Sequence, residues 1–440
     1  MASSADSTST RISLLPVLGL LFGIAVSIGS TLGVGILRQP GPVASYLREP
    51  PLIMLLWFAG AAYAALGASN VSELAAMLPR EGGFYVYARA ALGEHAGLAI
   101  GWSDFLANLA PAAYAAMTAV EFFERFVPAI RPIAPILAST LILTFAAMQW
   151  FGIRLSARVQ QTASAIAAIA LIGLVVGCFT IHRPAGAPPL PPAPTVSFLG
   201  ALVLAIQSIV VTYDGWYAPI YFAEETRRPA RQLPRAMFGG VALVAVIYML
   251  MNAALLRALG TAGLARSKFA AADAARLTFG RASEIVISLV GVVILLTLLN
   301  TVLMSATRIL FAVSRDGLFW PGAARVAVNG TPRPALALST LVAVGMVLSG
   351  TVDHLIAIAG FLYVANYCSA YTSLIILRRT QPDAARPFRV PGYPVLTLLM
   401  LAGSLAFLAG AIVSDRRNSI YALLLLAASF LLRRLLRTSG

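Results

Sequence analysis

The chain has 440 residues, of which 59% are hydrophobic and only 11% charged. Soluble domains carry about 25% charged residues, so this composition, with a mean hydropathy of +0.84, excludes a water-soluble enzyme or binding domain and indicates an integral membrane protein. The net charge of +15 does not point to nucleic acid, because the arginines fall at the ends of apolar runs, where anionic headgroups take them up.

Measured against the roughly 20 residues needed to cross hydrocarbon, the apolar runs predict an all-α polytopic fold of about twelve membrane helices. They begin near Pro16, Pro51, Gly97, Ile133, Val159, Ser197, Arg235, Ile285, Pro334, His354, Pro391 and Ser419. Residues 1–13 form a short polar tail, and the first run is too long and interrupted for a signal peptide. The longest polar excursion is Arg257 to Arg281, which leaves no room for a soluble domain. More than half of the 32 Lys and Arg fall on the side of the N-terminus, so both termini are expected in the cytoplasm. The expected location is the plasma membrane, as a multi-pass protein of a bacterial inner membrane.

The first helix carries Gly29-Ser30-Thr31-Leu32-Gly33-Val34-Gly35, then Pro40-Gly41-Pro42. Each interior glycine costs about 1 kcal/mol relative to alanine in a helix, which predicts a break; Gly29 and Gly33 also fit a small-xxx-small packing pair. In the third helix Asp104 and Asn108 stand one turn apart and are expected to face the bundle interior, where they either serve a function or hydrogen-bond to each other. The sixth helix is broken by Tyr213-Asp214-Gly215-Trp216. An aspartate at the centre of a span costs roughly 2.5 to 3.5 kcal/mol, so this is the first place to look for function. Beyond it, Glu224 and Glu225 are expected to meet Arg227, Arg228, Arg231 and Arg235, as a solvated interface or as a gating ion-pair network.

Interrupted segments at matching positions of two halves point to an inverted-repeat transporter with its site at the midplane. The expected organisation is a first repeat over 14–180, a second over 181–380, and two additional helices over 381–440. Unwound backbone in a membrane must line a cavity. The half-helix starting near Gly33 directs amides into it, suited to a carboxylate. The half-helix ending near Thr212 directs carbonyls there, suited to an ammonium group. Asp214 adds a negative charge, suited to a cationic group of the substrate or to a proton, and it can also cap the following segment.

Cys178 and Cys368 both fall in predicted helices, and His95, His182 and His354 are scattered, so no metal spacing, cofactor motif or loop disulfide is present in the sequence. HExxH, GxSxG and paired intramembrane acids are missing from it too, so an enzyme is not expected.

The residues also resemble the amino acid–polyamine–organocation superfamily, and within it the L-type amino acid transporter branch. The similar segments are GSTLGVGIL (Gly29 to Leu37), LPREGGFYVY (Leu78 to Tyr87), TYDGW (Thr212 to Trp216) with EETRRPARQLPRA (Glu224 to Ala236), NTVLMSATRILFAVSRDG (Asn300 to Gly317), TPRPAL (Thr331 to Leu336) and RPFRVPGYPV (Arg386 to Val395). They run in family order across almost the whole chain. The resemblance implies a core of two inverted five-helix repeats and alternating access around the first and sixth helices. It implies a substrate carboxylate at the amides of Leu32, Gly33, Val34 and Gly35, and an amine at carbonyls near Ser30, Thr31, Val211, Thr212 and Asp214. With Tyr213, Gly215 and Trp216 these residues are the candidate substrate site; no catalytic residue, metal or cofactor belongs to it.

Departures from the family pattern bear on mechanism. Val34 replaces a usual serine, Val211 a bulky aromatic, and Ala167 a fifth-helix lysine that stands in for sodium in many relatives. The missing lysine leaves exchange or a sodium effect as the expectation, with no strict proton requirement. Animal relatives attach to a glycoprotein subunit through an extracellular cysteine; none stands between the third and fourth helices, so no covalent ancillary subunit is expected. The expected partners are an amino acid and the lipid bilayer, and the expected function is amino acid transport or exchange. The alternatives are a carrier of polyamines or other organic cations and a non-transporting sensor.

Overall fold

The structure, a computed structural model, describes residues 14–33, 35–124, 126–180, 189–190, 196–280, 283–350 and 352–438. The expected tail over 1–13, Val34, and most of the segment joining the two expected repeats lie outside the described residues.

In chain order the helices are α1 (Leu20–Thr31), α2 (Gly35–Arg38), α3 (Pro40–Leu47), α4 (Pro50–Met77), α5 (Phe84–Leu92), α6 (Glu94–Glu124), α7 (Ala134–Trp150) and α8 (Ile153–Thr180). They continue as α9 (Phe198–Thr212), α10 (Pro229–Arg266), α11 (Ala270–Phe279), α12 (Ser283–Arg315), α13 (Arg333–Leu348), α14 (Val352–Thr380), α15 (Val395–Ser414) and α16 (Arg416–Thr438). Proline stands in the first turn of α3, α4, α7, α10 and α13, where its missing N–H has no helical partner to lose. Seven helices among the described residues are long and apolar enough to cross a membrane: α4, α7 with the 3-10 turn before it, α8, α10, α12, α14 and α15. Two of the shorter apolar helices, α1 and α9, are the ones that stop at the predicted breaks.

Two expectations are corrected. The first helix starts at Leu20 rather than near Pro16, because Leu18 is held extended: its N–H donates to the Glu225 carbonyl at 2.8 Å and its carbonyl accepts from Arg227 N–H at 3.1 Å. The excursion over Arg257 to Arg281 is not a polar loop. Gly260, at φ 64°, kinks α10, and α11 follows with Ala270, Ala271, Ala274 and Ala275 buried.

The packing brings the breaks together. α10 lies against α1, α4 and α8, while α6 lies against α5, α12 and α14. Between these sets, α3 meets α9, and α1 meets the 3-10 segment Ala218–Phe222 that follows the sixth-helix break.

Candidate functional site

The first helix ends at Thr31, and Leu32 leaves helical geometry at ψ 83° before the chain resumes as α2 at Gly35. The sixth helix ends at Thr212 and becomes turn rather than a second α-helix, with Ala218–Phe222 in 3-10 form. Gly215 makes the second break possible. Its φ is +108°, and a Cβ there would lie 2.6 Å from the Ser30 carbonyl carbon and oxygen, so only glycine lets the two breaks touch. Gly35 is nearly as close, its Cβ position 3.0 Å from Thr212 Cγ2.

Tyr248 of α10 ties both helix ends together. Its hydroxyl lies 2.8 Å from the Thr31 carbonyl and 3.1 Å from the Thr212 carbonyl. One hydroxyl carries one proton, so it serves one carbonyl at a time; the Thr31 carbonyl also accepts from the Gly33 N–H at 2.7 Å.

A cavity of about 410 Å³ opens between the breaks. Its lining includes residues of both breaks, Arg38 at the end of α2, Gln39 before α3, and Tyr63, Tyr114, Tyr217, Tyr363 and Tyr367. Asp214 faces it. The Tyr367 hydroxyl donates to Asp214 Oδ1, and the Tyr217 hydroxyl to Oδ2 at 3.4 Å. No arginine, lysine or histidine pairs with this carboxylate among the described residues. Here the cavity presents a carboxylate without a paired cation, dressed by tyrosine hydroxyls and rimmed by aromatic faces that attract cations; Arg38, which also lines the cavity, has its guanidinium over the Phe122 and Phe269 rings. Of the two readings of Asp214, the cap has no counterpart at Ala218, where the 3-10 segment has no side-chain cap; the side chains that meet the carboxylate are Tyr217 and Tyr367.

Of the twelve residues expected at the site, Ser30, Thr31, Gly33, Gly35, Val211, Thr212, Asp214 and Gly215 line the cavity. Leu32, Tyr213 and Trp216 do not. Leu32 is buried, Tyr213 packs on Tyr248 at 4.9 Å and on Trp57 at 5.9 Å, and Trp216 stacks behind the site on Tyr367 at 5.8 Å. Val34 lies outside the described residues. The five lining tyrosines and Tyr248 were not among the expected residues. An aromatic on an apolar helix carries no sequence signal separating cavity from core.

Ala167 is buried. Near it on α8, Ser164 Oγ donates to the Ala25 carbonyl at 2.9 Å, and Gln160 accepts from Asn300 Nδ2 at 2.8 Å. Neutral hydrogen bonds thus hold α8 to α1 and to α12.

At one end of the bundle the acidic pair after the sixth-helix break meets partners other than those expected. Glu225, wholly buried, takes a bidentate pair from Arg308 at 3.0 and 3.1 Å, and that guanidinium also sits 5.5 Å over the Phe222 ring. Glu224 accepts two hydrogen bonds from Arg315, both 2.8 Å. The arginines come from α12, not from Arg227, Arg228, Arg231 or Arg235. Glu81 and Glu224 exchange hydrogen bonds, each backbone N–H donating to the other's carboxylate at 3.1 Å. Burial, reinforced by Glu225, holds the Glu81 carboxyl well above its ordinary range. The network joins the loop before α5, the extended entry of α1, the sixth-helix segment and α12. Glu73 makes a separate lock: Arg378 grips it at 2.8 and 2.5 Å, and the Val390 N–H adds a hydrogen bond at 2.7 Å.

The sequence is similar to those of known proteins. A profile of the amino acid permease family matches residues 18–430. The chain is similar to the serine/threonine exchanger SteT of Bacillus subtilis (strain 168), with 26% identity over 90% of this chain and 91% of the relative. It is similar to the b(0,+)-type amino acid transporter 1 of Mus musculus, with 26% identity over 92% of this chain and 84% of the relative. It is also similar to the large neutral amino acids transporter small subunit 2 of Mus musculus, with 28% identity over 92% of this chain and 78% of the relative.

Proposed function

The chain belongs to the amino acid permease family, a family of membrane transporters and not of enzymes, and from that premise we propose that it carries amino acids across the membrane by alternating access. The substrate binds in the cavity between the two breaks. Its carboxylate meets the backbone amides around Gly33 and Gly35, and its amine meets carbonyls near Thr31 and Thr212 together with Asp214. The observation that carries this reading is the Asp214 carboxylate, which faces a 410 Å³ cavity with tyrosine hydroxyls and no basic side chain as partners. In a partly dry cavity such a charge favours a cationic group.

The proposed architecture is twelve spans in two inverted repeats, 14–180 and 181–380, with 381–440 outside the repeat, both termini cytoplasmic and the plasma membrane as location. Orientation is tested by single-cysteine labelling from intact cells. An impermeant reagent is expected to reach a cysteine at Lys268 and not one at Arg231; the reverse pattern overturns the topology. We place no covalent ancillary subunit on the chain, since Cys178 is buried in α8 and Cys368 lies in α14.

A second reading, a carrier of polyamines or other organic cations, draws on the same carboxylate and its tyrosine rim. Counterflow in proteoliposomes decides between them. Vesicles preloaded with unlabelled amino acids should accumulate a labelled one, and a competition panel ranks amino acids against diamines. Competition by diamines alone would replace the amino acid reading, and no counterflow with either class would support a sensor.

A further inference from the structure

Asp104 sits on α6, wholly buried, where α6 meets α14 and the segment after the sixth-helix break. Its Oδ1 accepts from the Tyr221 hydroxyl at 2.7 Å, from Asn108 Nδ2 at 3.2 Å and from Asn366 Nδ2 at 3.3 Å. Its Oδ2 and Oδ1 of Asn366 have no hydrogen-bond partner of good geometry; the Phe84 backbone, at the start of α5, also approaches the carboxylate. Both unpartnered atoms therefore belong to side chains that already share one hydrogen bond. If Asp104 is ionised, both are acceptors and neither can satisfy the other. A proton on Asp104 Oδ2 would make that oxygen a donor and give the Asn366 amide oxygen a partner, pairing acid with amide through two hydrogen bonds.

The charges around Asp104 point the same way. The titratable groups that face it are Tyr87 from α5, Tyr221 from the 3-10 segment and Tyr363 from α14, all neutral donors. Arg308 of the neighbouring α12 is committed to Glu225. Among the described residues no cation pairs with Asp104, in contrast to Glu73, Glu224 and Glu225. A buried carboxylate without a cation costs several kcal/mol, whereas a neutral acid with its hydrogen bonds made does not.

We infer that Asp104 is a proton-binding site of the transport cycle. It holds a proton on Oδ2 against Asn366 in the conformation described here, and it releases that proton when the segment carrying Tyr221 swings away from α6. Uptake transfers a proton from hydronium in the cavity to a carboxylate oxygen, forming one O–H bond and leaving water; release is the reverse. The route runs past Tyr363, which lines the cavity. The coupling rests on the carrier reading; the proton itself does not. This reverses the expectation drawn from Ala167, because a proton site need not stand on the fifth helix.

Two measurements on the reconstituted full chain test it. In proteoliposomes, an imposed pH gradient is expected to drive amino acid accumulation. Asp104→Asn, which imitates the protonated acid, should lower that accumulation by about tenfold or more while counterflow without a gradient stays within about twofold. Parent uptake that ignores the gradient, or Asp104→Asn uptake as gradient-driven as the parent's, overturns the coupling. Infrared difference spectroscopy, which needs no transport, should show a carboxylic acid band near neutral pH that is lost in Asp104→Asn and kept in Asp214→Asn. A spectrum without that band overturns the proton site. Absent counterflow with the band present would instead count against the carrier reading alone. If Asp104→Asn does not fold, Asn366→Leu removes the partner and keeps the acid, and an unshifted protonation midpoint there overturns the proposed pairing.

Discussion

Asp214 and Glu225 lie on the same connection between α9 and α10, yet their carboxylates meet different partners. Asp214 faces a cavity, and the side chains it accepts from are tyrosine hydroxyls. Glu225 is wholly buried and gripped on both oxygens by Arg308, whose guanidinium is 2% exposed. A buried charge that is paired and fully hydrogen-bonded is completed structure. One that faces an empty volume without a cation is a place where a ligand's charge is worth binding energy. The comparison separates a locking element at one end of the bundle from a recognising element at its centre.

The largest effect is expected where a completed pair is broken. Arg308→Leu strands Glu225 and should cost roughly 3 to 5 kcal/mol, read as a large fall in Tm in detergent. The double variant Glu225→Leu with Arg308→Met should recover most of that loss, since well-packed apolar replacements of buried pairs are often neutral. Arg315 and Glu224, each 28% exposed, should contribute about 1 kcal/mol or less by the same cycle. Equal losses at both pairs would erase the distinction between lock and surface contact.

At the centre the expected effect is on transport rather than stability. A Cβ at Gly33 has nothing nearer than 3.8 Å, so Gly33→Leu should fold normally. Its side chain fills the space where a carboxylate is proposed to sit, and counterflow should be abolished. Gly215→Ala makes the contrasting case: its Cβ collides with the Ser30 backbone at 2.6 Å and its φ is +108°, so it should lose Tm as well as transport. Normal counterflow by a well-folded Gly33→Leu would mean that this glycine serves packing alone.

The sequence made the breaks legible because glycines and a carboxylate are conspicuous in an apolar background, and both breaks fall where expected. The partners of the charged residues were not legible. Glu224 and Glu225 are surrounded in sequence by arginines, and local reasoning paired them accordingly; the fold supplies Arg308 and Arg315 from a helix more than eighty residues away. Tyr248, which bridges the two helix ends, sits in an apolar run where a tyrosine is indistinguishable from core. Asp104 and Asn108 were expected to face inward, and they do, but the third member, Asn366, lies on α14 with no periodic signal to join them. Spacing within a helix reports which face a residue takes. It does not report what stands opposite.

The recognising role of Asp214 is sharpened by Asp214→Asn, which keeps an acceptor for one tyrosine hydroxyl and removes the charge. Affinity for cationic substrates should fall at least tenfold, about 1.4 kcal/mol, with a smaller loss for neutral ones, measured by competition in counterflow. Equal affinities for both classes in parent and variant would place selectivity elsewhere along the cavity.

Glu81 sets the finest test, because it stands between the two cases: buried like Glu225, but without a cation of its own. Its Oε2 accepts from the Glu224 N–H and its Oε1 has no partner. Burial first, then the Glu225 charge, raise its pKa well above the ordinary 4.5, and the attraction of Arg308 does not offset them. In the window from that ordinary value up to the raised one, the native state binds more protons than the unfolded state. Stability is therefore greatest below the window and falls as pH rises through it, by at most about 1.4 kcal/mol per pH unit for one proton. Glu81→Gln imitates the protonated form and should flatten that decline, so Tm curves of parent and variant should diverge as pH is raised. Parallel curves would mean that Arg308 neutralises Glu81 as completely as it does Glu225, and that the locking end of the bundle carries no unbalanced charge.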